Sequence, residues 1–367
     1  MSGRPRVLYL THSIDPNGGG MERMGHALVS RGSDRIDFVV VASEGLDALP
    51  AHVTTVHLPL PSRPAFARIA LFYARSGALV RRWRSRVDVV HSCGAITRER
   101  VDLSTVHLVH AAVTSSSRED GKGWRKWNAA LARYVGRRTE RRQFRASRTK
   151  ELVAVSQQVS AQLSAQYRDV PHRTINNGVD AHRFVRDDRG PRDSEQLRVV
   201  MVTGDFTLKG VDLALDVTAL VPAMHLTVVG DGPREDYARR AHERGVSDRV
   251  TFAGFVRDVA PVYREHDVVL CLSHYESFGL FLVEAALSGC AVVSTDVGVA
   301  ASLIGENQGG RLVVRSLDAV AEGLRELAND RHVLEACADV AYERALEFSL
   351  DRMVDDYVAL YEEVARA

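Results

Sequence analysis

Two carboxylates near the carboxyl end of a predicted strand are the side chains best suited to chemistry in this chain. Glu276 and Glu284 lie in the segment His-Tyr-Glu-Ser-Phe-Gly-Leu-Phe-Leu-Val-Glu, residues 274–284. The apolar run at 270–272 predicts a buried strand, and residues 280–287 predict the helix that follows. Glu276 then stands at the edge where open α/β sheets bind ligands, beside a helix N-terminus that favours phosphate.

Glu284 follows Leu280 by four residues, so it faces back along the same side of the predicted helix. A carboxylate there can accept two hydrogen bonds from a ribose diol. The alternative is a solvated surface helix with two unrelated glutamates. The spacing of the pair alone does not decide between these interpretations.

Two loops have the residue types that meet phosphate. Gly18, Gly19 and Gly20 follow the first predicted strand and precede a helix, so their backbone N–H groups can approach an anion. In the second half, residues 204–210 again join a strand to a helix, and Lys209 offers a compact positive charge. Taken singly, a tight turn without a ligand explains the glycines equally well, and an isolated lysine is more often solvated.

Predicted strands alternate with helical patterns throughout, which is typical of parallel sheets built from βαβ units. The strands expected in the front half cover residues 6–11, 38–42, 53–58, 87–91, 102–107 and 151–156. A second series covers 199–203, 226–230, 250–254, 267–272 and 291–295. The pattern predicts two doubly wound α/β domains.

The expected boundaries follow from a polar stretch and from the last helix. Residues 186–195 are polar and turn-rich, as a linker should be. Beyond Asp351, apolar residues recur at helical spacing and predict a helix that packs back on the first domain. The first domain is therefore expected to cover 1–172 with 351–367, and the second 173–350.

Composition fits a soluble cytoplasmic protein of two domains. A chain of 367 residues exceeds what one core usually supports, roughly 250–300 residues, and it lacks an apolar run of the roughly 20 residues that span a bilayer. Its start, Met-Ser-Gly-Arg-Pro-Arg, leads into a strand rather than a signal sequence. Four cysteines without a CxxC pair argue against zinc and a disulfide framework, and Cys271 and Cys290 are expected in the core.

Charge is distributed unevenly. Up to Ile175 there are 28 Lys and Arg against 14 Asp and Glu, and the remainder has 20 against 33. Residues 122–150 contain eleven basic residues and one acid, Glu140, interleaved with aromatics. The aromatics are Trp124, Trp127, Tyr134 and Phe144. Such a helix suits an anionic lipid surface or an acidic acceptor, whereas no motif supports nucleic-acid binding. The alternative is a solvated helix whose aromatics pack on its own domain.

The order of these segments resembles that of retaining glycosyltransferases of family four, from Leu8 to about Tyr361. The specific element is Glu276-x-Phe-Gly-x-x-x-x-Glu284. The supporting elements are Gly19-Gly-x-Glu-Arg23, Val155-Ser156, Asn177-Gly-Val-Asp180, Lys209-Gly210, Gly230-Asp-Gly-Pro233 and Gly254-Phe-Val256.

The resemblance implies a GT-B fold, in which two Rossmann-like domains face each other across a cleft. The first would bind a hydroxyl acceptor and the second a nucleotide-diphosphate sugar. By this resemblance Glu284 binds the ribose, Glu276 contacts the donor sugar and Lys209 neutralises the diphosphate. The remaining donor-binding positions it implies are Gly19, Gly20, Gly254, Phe255, Val256, Phe278, Gly279 and Leu280.

The resemblance also implies a mechanism. A histidine of the first domain should reach the donor sugar, and His107 fits best, with His91 and His110 as competitors. Front-face attack is expected, in which the leaving diphosphate takes the acceptor proton, although Glu276 as a covalent nucleophile is the alternative. No Asp-x-Asp motif occurs, so we expect neither metal nor cofactor, and Lys209 with backbone dipoles would meet the leaving-group charge.

One departure from the family pattern affects the phosphate site. Many members have an arginine where this chain has Asp205, and losing a charged hydrogen bond costs roughly 1.5–3 kcal/mol. Two alternatives stay open beside a hexosyltransferase. One is a glycoside phosphorylase or sucrose-type synthase on the same fold, and the other is a non-catalytic sugar-nucleotide-binding subunit.

Overall fold

The computed structural model describes residues 3–61, 64–112, 124–186 and 196–367. The chain divides into two compact units, Met1–Gly178 with Leu350–Ala367, and Val179–Ser349. Apart from Arg186, the predicted linker lies outside the described residues, as do Lys122 and the side chain of Trp124.

A parallel sheet forms the centre of the first unit. Among the described residues it has seven strands in the order β3-β2-β1-β4-β5-β6-β7. The strands are β1 (Arg6–Leu10), β2 (Asp37–Ala42), β3 (Thr54–His57), β4 (Val89–Cys93), β5 (Val101–Val106), β6 (Thr149–Ala154) and β7 (His172–Thr174). The connecting helices are α1 (Gly20–Gly32), α2 (Ala65–Trp83), α3 (Trp124–Gln143) and α4 (Gln157–Gln166).

The second unit repeats this topology. Its described residues form six parallel strands in the order β10-β9-β8-β11-β12-β13. The strands are β8 (Leu197–Val202), β9 (Met224–Val229), β10 (Val250–Gly254), β11 (Val268–Cys271), β12 (Ala291–Ser294) and β13 (Gly310–Leu312). The helices are α5 (Val211–Leu220), α6 (Arg234–Glu243), α7 (Ala260–Glu265), α8 (Leu280–Leu287), α9 (Ala300–Ile304), α10 (Leu317–Asn329) and α11 (Arg331–Ala345).

Both sheets reverse their strand order at one point, between β1 and β4 in the first and between β8 and β11 in the second. The loops that leave the carboxyl ends of two such strands diverge, and the crevice between them is the usual ligand site of doubly wound folds. The predicted strands are confirmed. The sequence did not predict β7 and β13, which are only three residues long.

The C-terminal helix, α12 (Leu350–Arg366), belongs to the first unit, as predicted. Its buried face includes Tyr357 and Tyr361, and Arg31 on α1 donates to Asp351 at 2.7 Å. All four cysteines are buried free thiols. Among the described residues, no helix has both the length and the apolar composition needed to cross a bilayer.

Candidate functional site

Lys209 and Glu276 form an ion pair at the strand-order reversal of the second sheet. The Lys209 Nζ donates to the Glu276 Oε1. Lys209 lies in the loop after β8 and Glu276 in the loop after β11, so the pair spans the carboxyl ends of two adjacent strands. The side chains are 26% and 14% exposed, which leaves both accessible to a ligand.

The loop that carries Lys209 is held by its own residues. Asp205 accepts a hydrogen bond from the Leu208 N–H at 3.0 Å, and the Thr203 hydroxyl donates to the Asp205 carbonyl at 2.9 Å. Phe206, only 2% exposed, packs edge-to-face on Tyr237. Asp205 therefore shapes this loop, and its carboxylate accepts a bond within the turn.

Glu276 is oriented by a short chain of hydroxyl groups. The Ser273 hydroxyl donates to Glu276 Oε1 at 2.9 Å, and the Thr295 hydroxyl donates to the Ser273 carbonyl at 2.7 Å. Sequence reasoning missed Ser273 and Thr295. Ser273 lies two residues after β11 and Thr295 directly follows β12, so their position at strand ends was the available signal.

A tight turn leads from Glu276 into α8. Phe278 is 2% exposed and its ring packs against Phe348, so the side chain belongs to the core. Gly279 has φ +85° and precedes Leu280, the first residue of α8. A Cβ at Gly298 (φ +57°) would lie 2.1 Å from the Phe278 carbonyl oxygen. The turn thus requires glycine at both positions, and it directs the first-turn N–H groups of α8 to the sheet edge.

Glu284 lies on the second turn of α8 and is 4% exposed. The Tyr263 hydroxyl donates to its Oε2 at 3.4 Å. Residues 282–287 of this helix are buried, so the alternative of a solvated surface helix is wrong. A buried carboxylate on an apolar helix needs hydrogen-bond donors, which Tyr263 supplies in part.

The third predicted donor-binding segment follows β10. Gly254 ends this strand with φ +73°, and its carbonyl accepts from the Gly230 N–H at 2.8 Å. Phe255 is 76% exposed, and Val256 packs on the core. The structure therefore puts an open aromatic face at the same edge of the sheet as Lys209 and Glu276.

In the first unit, Gly19 caps the N-terminus of α1 and Gly20 is its first residue. Glu22 from the first turn folds back over them, and a Cβ at Gly19 would lie 2.9 Å from its Oε2. A carboxylate thus lies at this helix N-terminus, the position that the sequence assigned to phosphate.

His107 follows β5 directly, as predicted for the first-domain histidine. Burial lowers the pKa of His107 to about 4, so the ring is neutral near pH 7. The competitor His91 is fully buried, and its two ring nitrogens bond the Tyr361 and Thr105 hydroxyls at 2.6 and 2.8 Å. His91 therefore has a structural role. The other competitor, His110, packs its ring against Gly136 of α3, and its backbone N–H donates to the Glu140 Oε2 at 2.8 Å.

Sequence reasoning also missed His12, which follows β1 at the carboxyl edge of the first sheet. Burial and the Arg68 charge lower the pKa of His12 to about 4. Its Nδ1 is buried without a hydrogen-bond partner among the described residues. The available signal was its position directly after the first strand.

The described part of α3 presents aromatics to solvent. Trp127 is 76% exposed, Leu131 41% and Tyr134 60%. These residues recur at i, i+4 and i+7 and so share one face of the helix. For Trp127 and Tyr134 the alternative of packing on the domain is wrong, whereas Phe144 is buried as that alternative expected.

Chemically, the carboxyl edge of the second sheet combines a cation, two carboxylates and a helix N-terminus. Within the described ranges, no group of three or more His, Cys, Asp or Glu could hold a metal ion. Such an edge can bind a phosphate ester and hydrogen-bond the hydroxyl groups of a sugar.

Models of two glycosyltransferase domains match the chain. Residues 18–183 match the one described as Glycosyltransferase Family 4, and residues 197–330 match Glycosyl transferases group 1. The chain is also 30% identical to a D-inositol 3-phosphate glycosyltransferase of Geodermatophilus obscurus, over 76% of this chain and 68% of that protein. The chain belongs to glycosyltransferase family 4. The predicted family, and with it the class of enzyme, is confirmed.

Other similarities agree with this family. The chain is 28% identical to the lipopolysaccharide core biosynthesis glycosyltransferase LpsE of Rhizobium meliloti, over 51% of this chain and 57% of that protein. The crystal structure of WaaG, a glycosyltransferase involved in lipopolysaccharide biosynthesis, covers 96% of this chain and 99% of its own, with TM-score 0.76 and 21% identity. The crystal structure of Anabaena Alr3699/HepE in complex with UDP-glucose aligns with 97% of this chain and 98% of the HepE chain, with TM-score 0.68 and 19% identity. These structural neighbours confirm the predicted GT-B fold class.

Proposed function

We propose that this protein transfers a hexose from a nucleotide-diphosphate sugar to a hydroxyl acceptor, with retention of anomeric configuration and without a metal. The observation that carries the proposal is the Lys209–Glu276 pair at the strand-order reversal of the second sheet, beside the N-terminus of α8. A cation and a helix N-terminus suit a diphosphate, and carboxylates suit sugar hydroxyls. The UDP-glucose bound by HepE supports a nucleotide sugar as the donor.

Each residue has a role in this proposal. Lys209 and the first-turn N–H groups of α8 bind the diphosphate and stabilise the charge that develops as it leaves. Glu276, held by Ser273, hydrogen-bonds the donor sugar. Glu284 binds the ribose, and the exposed ring of Phe255 flanks the base.

The proposed chemical step is front-face attack. The bond between the anomeric carbon and the diphosphate oxygen breaks, and the acceptor oxygen bonds to the same face of that carbon. The departing diphosphate oxygen takes the acceptor proton. A neutral His107 hydrogen-bonds the donor sugar, and its low pKa fits this role better than that of a general base.

A covalent mechanism through Glu276 is the alternative, because this carboxylate is partly exposed. A fluorinated donor distinguishes the two, since it traps a covalent glycosyl-enzyme. The front-face proposal requires that mass spectrometry finds no adduct on Glu276 while nucleoside diphosphate is released. An adduct on Glu276 would establish the covalent route.

The face of α3 that contains Trp127, Leu131 and Tyr134 supports an acceptor that is anionic or held in a membrane, reached from the cytoplasm. Aromatic side chains interleaved with arginines favour a membrane–water interface. We expect flotation with vesicles of anionic lipid at physiological salt, and its loss in the double variant Trp127→Ser, Tyr134→Ser. Equal flotation of both proteins would remove this part of the proposal.

Donor turnover tests the main proposal. A panel of nucleotide sugars is screened by thermal shift, where a ligand at 100 times its Kd stabilises by ~2.7 kcal/mol. The stabilising donor is then incubated with wild type, Lys209→Ala and Glu284→Ala, and nucleoside diphosphate release is measured. We expect slow release by the wild type only. A protein that binds a donor but never releases diphosphate would favour the non-catalytic subunit.

A further inference from the structure

Arg315 lies at the carboxyl edge of the second sheet, three residues after β13. Its Nε donates to the Leu272 carbonyl at 2.7 Å, directly after β11. A Cβ at Gly210 would lie 3.1 Å from the Arg315 Nη2. The guanidinium group is therefore in contact with the loop that carries Lys209 and with the strand end that leads to Glu276.

The charge of Arg315 has no counter-charge in the part of the chain that the structure describes. Burial alone shifts the pKa of Arg315, and it lowers this pKa, whereas a carboxylate partner raises the pKa of Arg240. No ion pair joins Arg315 to a carboxylate among the described residues. A partly buried cation of this kind is stabilised when an anion binds.

An open cavity of about 380 Å³ lies beside this guanidinium. Its lining includes Ser273, His274, Thr295, Asp296 and Arg315. Burial, and then the Arg315 charge, lowers the pKa of His274, so the neutral form of this histidine predominates near pH 7. Asp296 is exposed and forms no ion pair with Arg315 in the described structure. Arg315 is thus the cation of this cavity wall.

We propose that Arg315 is the second cation for the donor diphosphate and takes the place of the arginine that Asp205 replaces. This inference rests on the proposed function. Lys209 directly precedes Gly210, and a Cβ at Gly210 would lie 3.1 Å from both the Arg315 Nη2 and the Leu272 carbonyl oxygen. The bond from Nε to Leu272 fixes the guanidinium plane, and its Nη groups are the donors directed to phosphate.

The experiment compares nucleoside diphosphates with the matching monophosphates by calorimetry, using uridine, adenosine and guanosine nucleotides. Arg315→Gln removes the charge and keeps an amide donor for Leu272. We expect it to weaken diphosphate binding by roughly 10- to 100-fold and monophosphate binding by less than about threefold. Arg315→Lys should restore part of the loss. Arg325→Ala is the matched control, because Arg325 also donates to a carbonyl, that of Leu220 at 3.0 Å, on another surface.

Each outcome decides the proposal. Selective loss of diphosphate binding in Arg315→Gln supports it. Unchanged diphosphate binding in Arg315→Gln, with loss in Lys209→Ala, overturns the role of Arg315 and leaves the proposed function intact. Equal losses for mono- and diphosphates assign Arg315 a structural role and also overturn it. A wild type that binds no nucleoside diphosphate overturns both the inference and the proposed function.

Discussion

Replacing Glu276 by glutamine is expected to tighten the binding of a nucleoside diphosphate while it slows sugar transfer. The Lys209 ammonium is paired with the Glu276 carboxylate in this structure. If Lys209 binds the diphosphate, the ion pair between Lys209 and Glu276 is weakened when the ligand binds. Glutamine keeps the volume of the side chain and can still accept from the Ser273 hydroxyl, which donates to Glu276 at 2.9 Å.

The size of the effect follows from the exposure of the pair. With side chains 26% and 14% exposed, the pair lies between surface and interior, and we assign it about 1 kcal/mol. In Glu276→Gln the diphosphate no longer competes with a carboxylate for Lys209, and 1 kcal/mol corresponds to roughly fivefold tighter binding of the nucleoside diphosphate. Repulsion between carboxylate and phosphate disappears in the same variant and acts in the same direction. Transfer should fall by roughly a hundredfold, because the donor sugar loses a contact that orients it.

Calorimetric titration with the nucleoside diphosphate measures the first effect, and release of diphosphate from the donor sugar measures the second. Glu326→Gln is the control, since it removes a carboxylate from an exposed ion pair with Arg311 elsewhere on the unit. Weaker or unchanged diphosphate binding in Glu276→Gln would refute the competition between Glu276 and phosphate for Lys209.

Three further predictions follow from local geometry and burial. Gly298→Ala should destabilise the second unit by roughly 2–4 kcal/mol and abolish donor binding, since its Cβ would meet the Phe278 carbonyl at 2.1 Å; wild-type thermal stability would contradict this. Because burial lowers the pKa of His91 to about 3, the stability that His91 contributes is present above pH 6.5 and is lost as pH falls through 3. In His91→Gln, the free energy of unfolding should therefore fall less steeply with acid, by about 1.4 kcal/mol per pH unit over this range. Burial raises the pKa of Glu140 to about 7, so the stability that Glu140 contributes is full below pH 4.5 and is lost as pH rises through 7. In the wild type, the free energy of unfolding measured in urea should therefore fall by roughly 3 kcal/mol over this range, and in Glu140→Gln this fall should disappear. An unchanged pH profile in Glu140→Gln would contradict that.

The sequence predicts most of the fold because its strands are apolar and regularly spaced. The strands that it missed, β7 and β13, are three residues long and only partly buried, so no hydrophobic run marks them. Each forms by hydrogen-bond pairing with the strand before it in the chain, β6 for β7 and β12 for β13, and a single sequence does not record that pairing.

The candidate site was predictable where one short segment carries it. Glu276, Gly279 and Glu284 stand within one strand-turn-helix unit, so their spacing was informative. The bond from Arg315 to Leu272 joins residues 43 positions apart, and tertiary packing alone brings them together. Phe278 was expected among the donor-binding residues, but its side chain packs in the core, since a motif does not tell whether a side chain or its backbone faces the ligand.

Hydrogen exchange with a bound nucleoside diphosphate tests the central claim most directly, because it locates the ligand without requiring turnover. At saturation we expect slower exchange of the backbone amides in residues 204–211 and 273–284, the two loops that carry Lys209 and Glu276. The Lys209→Ala variant at the same ligand concentration should lose most of this protection. Protection confined to other segments, with these two loops unchanged at saturation, would contradict the assignment of the donor site.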